Sequence, residues 1–306
     1  MSASGLVYVV GALNLDLVAQ TEVLPRVGQT VLAAALSRHA GGKGLNQAVA
    51  AARAGARVRM IGRVGRDEPG DWLLEVLQGA GADTARVARD LAAPTGQAFI
   101  TVNHEGENMI VVAAGANLSL SAADCAPETI SDASVLLAQL ETALAPVAAL
   151  LAAAPTGCLK VLNAAPALAP AKAMFPHCDV LIVNETELAG YAGLPAAPET
   201  ERGLALAARG LRTRPEQAVV VTLGRDGALL VEGDALVRIP GRPAAAIDTV
   251  GAGDCFCGVF AAAAAEGLSL AAAATRANVA ASIAVTRRGA AEAMPTSAEI
   301  ETAIAG

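Results

Sequence analysis

Residues 248–254 read DTVGAGD, and the alanine-rich run CFCGVFAAAAA follows directly. This pattern predicts a helix whose first turn carries two glycines and a carboxylate. Glycines let a ligand approach main-chain amides, and a helix start carries partial positive charge, so together they suit an anion such as phosphate. We therefore predict an anion hole built from Gly251, Ala252 and Gly253. Asp254 beside it is either a functional carboxylate or an ordinary acidic residue of a first helical turn.

The composition provides enough apolar material for a large core. The 306 residues are 54% hydrophobic, 17% charged and only 2% aromatic. A core of Ala, Val, Leu and Ile suits helices packed on a parallel sheet. The mean hydropathy is +0.48, yet no apolar run reaches the roughly 20 residues that a membrane span needs. We therefore expect no membrane span. The net charge is -7, and no run of basic residues suggests a nucleic-acid-binding patch.

The cysteines and the N-terminal residues bear on the cellular compartment. The five cysteines contain no CxxC pair; they are Cys125, Cys158, Cys178, Cys255 and Cys257. Such a set is typical of reduced thiols, and Cys255 and Cys257 would diverge on a helix rather than bind a metal together. The start MSASGLVYVV has neither a charged leader nor a cleavage-type apolar core. These features predict a cytoplasmic protein.

Short apolar runs alternate with helix-like runs along the chain. Strand-like runs occupy residues 6–12, 58–65, 134–141, 160–166, 179–185 and 218–224, and helix-like runs occupy 43–56 and 68–81. This alternation predicts the α/β class, with a parallel sheet covered by helices on both faces. Ligands of such sheets bind at the carboxyl ends of the strands. Functional residues are therefore expected just after the runs, at Asn14, Glu141, Asn163, Asn184 and Gly224.

Two segments interrupt the alternation and resemble β-hairpins. They are residues 13–37 and 96–113, and neither has room for a crossover helix. We predict a small β lid inserted into one α/β domain that spans residues 1–306. A lid of this kind covers one edge of a site and excludes water from it.

Polar motifs follow the first strand and open the first helix. Alternation along LNLDL puts Asn14 and Asp16 on one face of an extended segment. In GGKGLN, residues 41–46, glycines again precede a helix, and Lys43 and Asn46 lie one turn apart. Amide and carboxylate groups so placed suit the hydroxyls of a sugar. The alternatives are a solvated polar face and an ordinary helix start.

Further motifs follow the later strands. In NETE, residues 184–187, Asn184 and Glu187 share a helix face, which suits either a hydrated Mg²⁺ or simple helix capping. TLGRDG, residues 222–227, predicts a strand–turn–strand beneath a nucleotide or a plain turn. No histidine neighbours a Ser or Cys nucleophile, which disfavours a hydrolase triad. The first strand lacks the GxGxxG of a dinucleotide-dependent oxidoreductase.

Taken in order, these motifs resemble the ribokinase (PfkB-type) family of carbohydrate kinases. The resemblance runs from VVGALNLD to VTRRGA, residues 285–290, and DTVGAGD is similar to the family's C-terminal signature. GGKGLNQAVAAARAGA, EGEN at 105–108 and AGAN at 114–117 are similar to its ribose-phosphorylating members. The resemblance implies a three-layer sandwich with a mostly parallel central sheet, a small β-sheet lid, and ATP-dependent conversion of D-ribose to D-ribose 5-phosphate. It leaves open a related pentose or nucleoside kinase, and a sugar-binding regulator without catalysis.

The resemblance also assigns roles to residues of this chain. Asp254 is implied to be the general base beside the anion hole. Ribose is implied to contact Asn14, Asp16, Gly42, Lys43, Asn46, Glu141 and Asp254. ATP is implied to contact Asn184, Thr222, Gly224, Gly227, Gly253 and Asn278, with Mg²⁺ held through water near Asn184 and Glu187.

A monovalent cation and a second subunit complete what the resemblance implies. K⁺ is implied beside the anion hole, with ligands from Asp248, Val250, Ala284, Arg287 and Gly289. Alanine stands at position 293, where similar proteins often carry serine, so one oxygen ligand is absent here. A homodimer is expected through the β lid, because an open lid sheet has edges to protect.

Overall fold

The computed structural model describes residues 5–305. Its strands are β1 (Leu6–Val10), β2 (Asn14–Gln20), β3 (Ala35–Gly41), β4 (Arg57–Gly65), β5 (Ala82–Asp90), β6 (Gly96–Val102), β7 (Asn108–Ala113), β8 (Val135–Ala138), β9 (Leu159–Asn163), β10 (Val180–Asn184), β11 (Ala218–Thr222), β12 (Gly227–Glu232) and β13 (Ala235–Pro240). Its α-helices are α1 (Lys43–Arg53), α2 (Glu68–Gly79), α3 (Leu144–Ala153), α4 (Glu185–Ala192), α5 (Glu201–Leu211), α6 (Ala252–Ala265), α7 (Leu270–Ala284) and α8 (Ser297–Ala305).

The main sheet has nine strands in the order β13-β12-β11-β10-β9-β8-β1-β4-β5. Neighbours from β11 to β5 pair in parallel, and β12 and β13 add an antiparallel edge. Strands β1 and β8 are continuous apolar runs because both of their faces are covered. The predicted α/β fold is confirmed. The sequence did not reveal β5 or β13, which lie at the two edges of this sheet.

Two apolar cores lie on opposite faces of the main sheet. Val7 and Val9 of β1 pack into the core formed with α1, α2, α6, α7 and α8. Tyr8 and Val10 of the same strand face the other core, which includes α3, α4 and α5. Alternate side chains of a strand point to opposite faces, so one apolar strand supplies both cores. Helices thus cover both faces, as the three-layer sandwich requires.

The small sheet has four strands in the order β3-β2-β6-β7. Its strands come from the two segments that the sequence marked as hairpin-like, and β2 pairs in parallel with β6 across them. Strand β3 continues to Gly41, beyond the expected boundary at residue 37. Strand β7 is exposed along its whole length. The small sheet therefore joins the main body at the point where β3 leads directly into α1.

The alanine-rich helices pack closely against one another. At Gly258 of α6, an added Cβ would collide with the main-chain oxygen of Gln47 and lie 2.6 Å from the Cβ of Ala50, both on α1. Only glycine permits this approach of α6 to α1. Within residues 5–305, no helix combines the length and apolar character needed to cross a membrane.

Candidate active site

The start of α6 is an open helix terminus. Gly251 adopts a left-handed conformation with φ of 76°, and no side chain caps the helix. The first amide groups of an uncapped helix have no partner within the helix, so they are available to an anion. Asp254 lies in this first turn and is only 7% exposed. The predicted anion hole and its neighbouring carboxylate therefore lie on one helical turn, in which Gly251 and Ala252 are half-buried, Gly253 is exposed and Asp254 is buried.

The start of α1 meets the start of α6. Gly42, with φ of 86°, is the N-cap residue of α1, and no side chain caps this helix. The Lys43 main-chain amide donates to Glu141 Oε2 at 3.0 Å, and Asn46 Nδ2 donates to Asp254 Oδ2 at 3.0 Å. Residues far apart in the chain thus converge around Asp254.

Asn14 and Asp16 extend this group from the small sheet. Asn14 is buried, and its Oδ1 accepts from Asn117 Nδ2 at 2.8 Å. Burial first, and then the nearby carboxylates of Glu141, Glu292 and Asp254, together raise the pKa of Asp16 to about 7. Asp16 therefore lies within the same acidic cluster as Asp254.

Lys43 offsets part of this negative charge. The carboxylate of Asp254 is the largest influence and raises the pKa of Lys43, with Glu141 and Glu187 acting in the same direction. Desolvation raises the pKa of Glu141, against the opposing charge of Lys43. A positive group surrounded by carboxylates and amides forms a polar, partly buried surface with several donors and acceptors. Such a surface suits a ligand rich in hydroxyl groups.

A cavity of about 590 Å³ opens on the other side of the α6 start. Its volume lies in the usual range for small-molecule sites. The residues lining it include Thr222, Gly224, Gly227, Gly253 and Asn278, all assigned above to ATP. Because Ala252 and Gly253 also line it, this cavity and the polar cluster meet at a single helix start.

A comparison with protein-family models identifies the family of this chain. The model of the pfkB family of carbohydrate kinases matches residues 4–297. This chain belongs to that family. It is 36% identical to the ribokinase of Bacillus subtilis (strain 168) over 298 residues, which cover 96% of this chain and 98% of that protein. It is also 36% identical to the deoxyribokinase of Salmonella typhi over 259 residues, covering 83% of this chain and 84% of that protein.

A solved structure extends the comparison to the fold. The Arabidopsis thaliana ribokinase, complexed with ribose and ATP, has a TM-score of 0.89 and 31% sequence identity, and 99% of each chain is covered. The membership in the pfkB family predicted from the ordered motifs is confirmed.

Asn184 and Glu187 of this pfkB family member form a capping box rather than a cavity wall. Asn184 Oδ1 accepts from the Glu187 amide at 2.8 Å, and Glu187 Oε2 accepts from the Asn184 amide at 2.9 Å. Asn184 is not part of the cavity lining. Within residues 5–305, no three His, Cys, Asp or Glu side chains cluster as a metal site. The pair fits a Mg²⁺ that keeps its waters and arrives with a nucleotide.

Asp248 ties together two of the loops that were assigned to K⁺. Its Oδ1 accepts from the Val250 amide and its Oδ2 from the Gly289 amide, each at 3.0 Å. The Ala284 carbonyl accepts from the Arg287 amide at 3.0 Å, at the end of α7. Oxygen donors of these kinds suit a hard cation. Ala293 is buried and its methyl side chain offers no oxygen.

The sequence did not single out several polar residues that hold the site. Asn117 holds the start of β2, because its Oδ1 accepts from the amide of Leu13, the residue before the strand, at 2.9 Å. Gln47 and Gln139 are fully buried beside Asp254. Asn163, in contrast, was among the functional residues expected after the strands, and it bonds to Gln47. The resemblance of AGAN at 114–117 was the one signal that pointed to Asn117.

Proposed function

We propose that this pfkB family member transfers the γ-phosphoryl group of ATP to D-ribose and forms D-ribose 5-phosphate. The observation that carries the proposal is the shared start of α6. There Gly253 lines the 590 Å³ cavity while Asp254 bonds to Asn46 of the polar cluster. A donor nucleotide on one side and an acceptor sugar on the other would meet at the anion hole.

The buried amide of Asn46 supports a sugar on the cluster side. Its Oδ1 is buried and has no hydrogen-bond partner. A buried acceptor without a partner is costly, and a sugar hydroxyl would supply the missing donor. Asn14, Asp16, Gly42, Lys43 and Glu141 would hold the remaining hydroxyls.

Asp254 would accept the proton of the primary hydroxyl as its oxygen attacks the γ-phosphorus. The new O–P bond forms while the bond between the γ-phosphorus and the bridging oxygen breaks, and ADP leaves. The amides of Gly251, Ala252 and Gly253 would stabilise the negative charge on the transferred group. Bound Mg²⁺ would neutralise phosphate charge, with Asn184 and Glu187 orienting its waters. Thr222, Gly224, Gly227 and Asn278 would position the nucleotide.

Three further features accompany this proposal. A K⁺ ion would bind at the loops that Asp248 joins, with Val250, Ala284, Arg287 and Gly289 around it, and would reinforce the anion hole. The exposed apolar residues of β7 would pair two copies through their lids. Five buried thiols without disulfides are consistent with a cytoplasmic enzyme.

The second candidate substrate is 2-deoxy-D-ribose, which the similarity to a deoxyribokinase favours. An assay coupled to ADP release would compare ribose, 2-deoxyribose, fructose and nucleosides with Mg²⁺ and K⁺ present. The proposal requires the highest kcat/KM with ribose. A preference for 2-deoxyribose, a hexose or a nucleoside would replace the substrate but retain the kinase. Sugar binding without turnover would instead identify a non-catalytic regulator.

A further inference from the structure

Two buried glutamines connect Asp254 to the main sheet. Gln47 Nε2 donates to Asp254 Oδ1 at 2.9 Å. Gln47 Oε1 in turn accepts from Gln139 Nε2 at 2.6 Å. Both glutamine side chains are 0% exposed, so water cannot substitute for either bond.

The orientation of the Gln47 carboxamide is fixed by all of its partners together. Its Nε2 donates to Asp254 and also to Asn163 Oδ1, at 3.0 Å. An amide nitrogen has two hydrogens, and these two acceptors use both. With the nitrogen so placed, the oxygen must face Gln139, which supplies a hydrogen. A rotated carboxamide would set its oxygen against the Asp254 carboxylate.

One end of this chain of hydrogen bonds is bonded to the main sheet, and the other, at Gln139, is held by packing, since the Gln139 Oε1 has no hydrogen-bond partner. Asn163 ends β9, and its Nδ2 donates to the Ile182 carbonyl of β10 at 3.3 Å. Gln139 follows β8, and an added Cβ on Gly11, which follows β1, would collide with its Oε1. Gly11 therefore leaves the space that the Gln139 carboxamide occupies. The Asp254 carboxylate is thus aligned relative to the carboxyl edge of the sheet.

Gln47 is a neutral donor in charged surroundings. The charged groups that face Asp254 are Lys43 of α1, Glu141 after β8, Asp16 of β2 and Glu187 of α4. The thiols of Cys255 and Cys257, on α6 itself, are also close, and burial raises the pKa of both. A carboxamide fixes the direction of a carboxylate without adding a charge to this balance.

We propose that Gln47 is the positioning residue of the general base Asp254, and that Gln139 holds Gln47 in its working orientation. This inference rests on the proposed function, because it assigns Asp254 the proton transfer. Gln47 touches neither substrate in this scheme. It acts by holding one carboxylate oxygen while Asn46 holds the other, so that the free lone pairs point at the sugar hydroxyl.

The test compares three substitutions of equal size change: Gln47→Met, Gln139→Met and Gln217→Met. Gln217 is the matched control, because it is also 0% exposed and its Nε2 donates to the carbonyls of Phe175 and Cys178. The unaltered enzyme is assayed first with each sugar named above. The variants are then assayed with its preferred sugar, across pH, and their Tm values are measured.

Gln47→Met is expected to lower kcat by about tenfold to a hundredfold, since a small misalignment of a reacting group has effects of that order. The KM for the sugar should change by less than about threefold. The acid limb of the kcat–pH profile should move to higher pH, because the charged carboxylate has lost a donor. Gln139→Met should act in the same direction by a smaller factor. Gln217→Met should lower Tm and leave kcat and the pH profile unchanged.

The inference is overturned if folded Gln47→Met keeps kcat within twofold and the acid limb in place, or if Gln217→Met reproduces its kinetic loss. Should Gln47→Met not fold, Gln139→Met decides by the same criteria. No turnover by the unaltered enzyme with any sugar contradicts the proposed function. Turnover that is insensitive to both glutamines contradicts the positioning role alone.

Discussion

At the scale of single residues, the site gathers carboxylates that would be costly together without a ligand. Asp16, Glu141 and Asp254 lie close enough to influence one another, and Lys43 is the main positive group among them. Hydroxyl donors of a sugar would relieve this repulsion when they bind. The residues that we propose to act on substrate are therefore a source of instability in the free protein.

Replacing Asp254 by Asn removes the proposed proton acceptor at nearly constant volume. We expect kcat to fall about 10²–10⁴-fold, the usual contribution of a general base. Sugar binding, measured by titration calorimetry, should persist because Asn14, Lys43 and Glu141 remain. Turnover close to that of the unaltered enzyme would remove Asp254 from the proton transfer.

Asp16→Asn should stabilise the free protein at high pH. Because burial and neighbouring carboxylates raise the pKa of Asp16 from 3.8 to about 7, its protonated form is favoured in the fold. This preference adds to the free energy of unfolding in full below about pH 4. The contribution is lost as the pH rises through 7 and is absent at higher pH. In thermal unfolding without sugar, the Tm of Asp16→Asn should be about 2–4 °C above that of the unaltered protein at pH 8. At pH 4 the two Tm values should be equal.

Asp234→Asn is the matched control for this measurement. Asp234 is an exposed carboxylate in the turn between β12 and β13, away from the site. Its substitution should leave Tm unchanged at both pH values. An Asp16→Asn protein no more stable than the unaltered one at pH 8 would contradict the proposed repulsion.

The buried amides explain why sequence reasoning found only part of the site. Asn14, Lys43 and Asp254 follow strands or open helices, where position along the chain already indicates exposure to a ligand. Gln47 lies inside a helix, and its partner Gln139 is 92 positions away. Nothing local distinguishes such a glutamine from a surface one. Only the packing of α1 against the sheet reveals its partners.

At the scale of elements, the start of α6 depends on one backbone conformation. Gly251 has a positive φ, and an added Cβ would lie 2.9 Å from the Cβ of Ala290. Any other residue there would strain the turn and displace the amides that follow. The proposed anion hole therefore depends on the loop before the helix as much as on the helix.

Gly251→Ala should lower kcat by about a hundredfold or more, as expected when donors to a developing charge are displaced. Steady-state kinetics with the preferred sugar would measure this, together with the sugar dissociation constant, which should change little. Gly210→Ala is the control, because an added Cβ in α5 meets nothing within 4 Å. Alanine favours helix, so Gly210→Ala should raise Tm and keep kcat. Equal kinetics for both variants would refute the role of Gly251.

The elements that the sequence revealed are those buried on both faces or capped by glycine. Strands β1, β10 and β11 are apolar runs that end in or are followed by polar or glycine residues, and each was predicted. Strand β5, ADTARVARD, carries several charged residues because it lies at an edge and pairs only with β4. Because β5 is polar, its sequence shows no apolar run that would predict a strand. Its extended conformation depends on pairing with β4.

At the scale of the whole molecule, the small sheet exposes an apolar surface. Met109, Ile110, Val111 and Val112 of β7 are each more than half exposed, and Phe99 of β6 is 47% exposed. An exposed edge strand with apolar side chains is prone to pair with another chain. A second copy of this protein would cover it in the proposed dimer.

Val111→Asp should convert a dimer into a monomer, because a carboxylate would have to be buried at the shared surface. Sedimentation velocity would measure the mass of the unaltered protein and of the variant at the same concentration. Leu206→Asp is the control, since Leu206 of α5 is 71% exposed and lies outside the small sheet. A monomeric unaltered protein, or a dimer that persists in Val111→Asp, would exclude assembly through the lid.

The close approach at Gly258 has a consequence for substrate choice. It holds α1, which carries Lys43 and Asn46, at a fixed separation from α6, which carries Asp254. The residues that we propose to bind the sugar and the proposed base therefore lie on two helices in direct contact. We expect this fixed separation to select which hydroxyl of the sugar is phosphorylated. A hydroxyl one carbon nearer to the ring, or one carbon farther from it, would lie at the wrong distance from the Asp254 carboxylate.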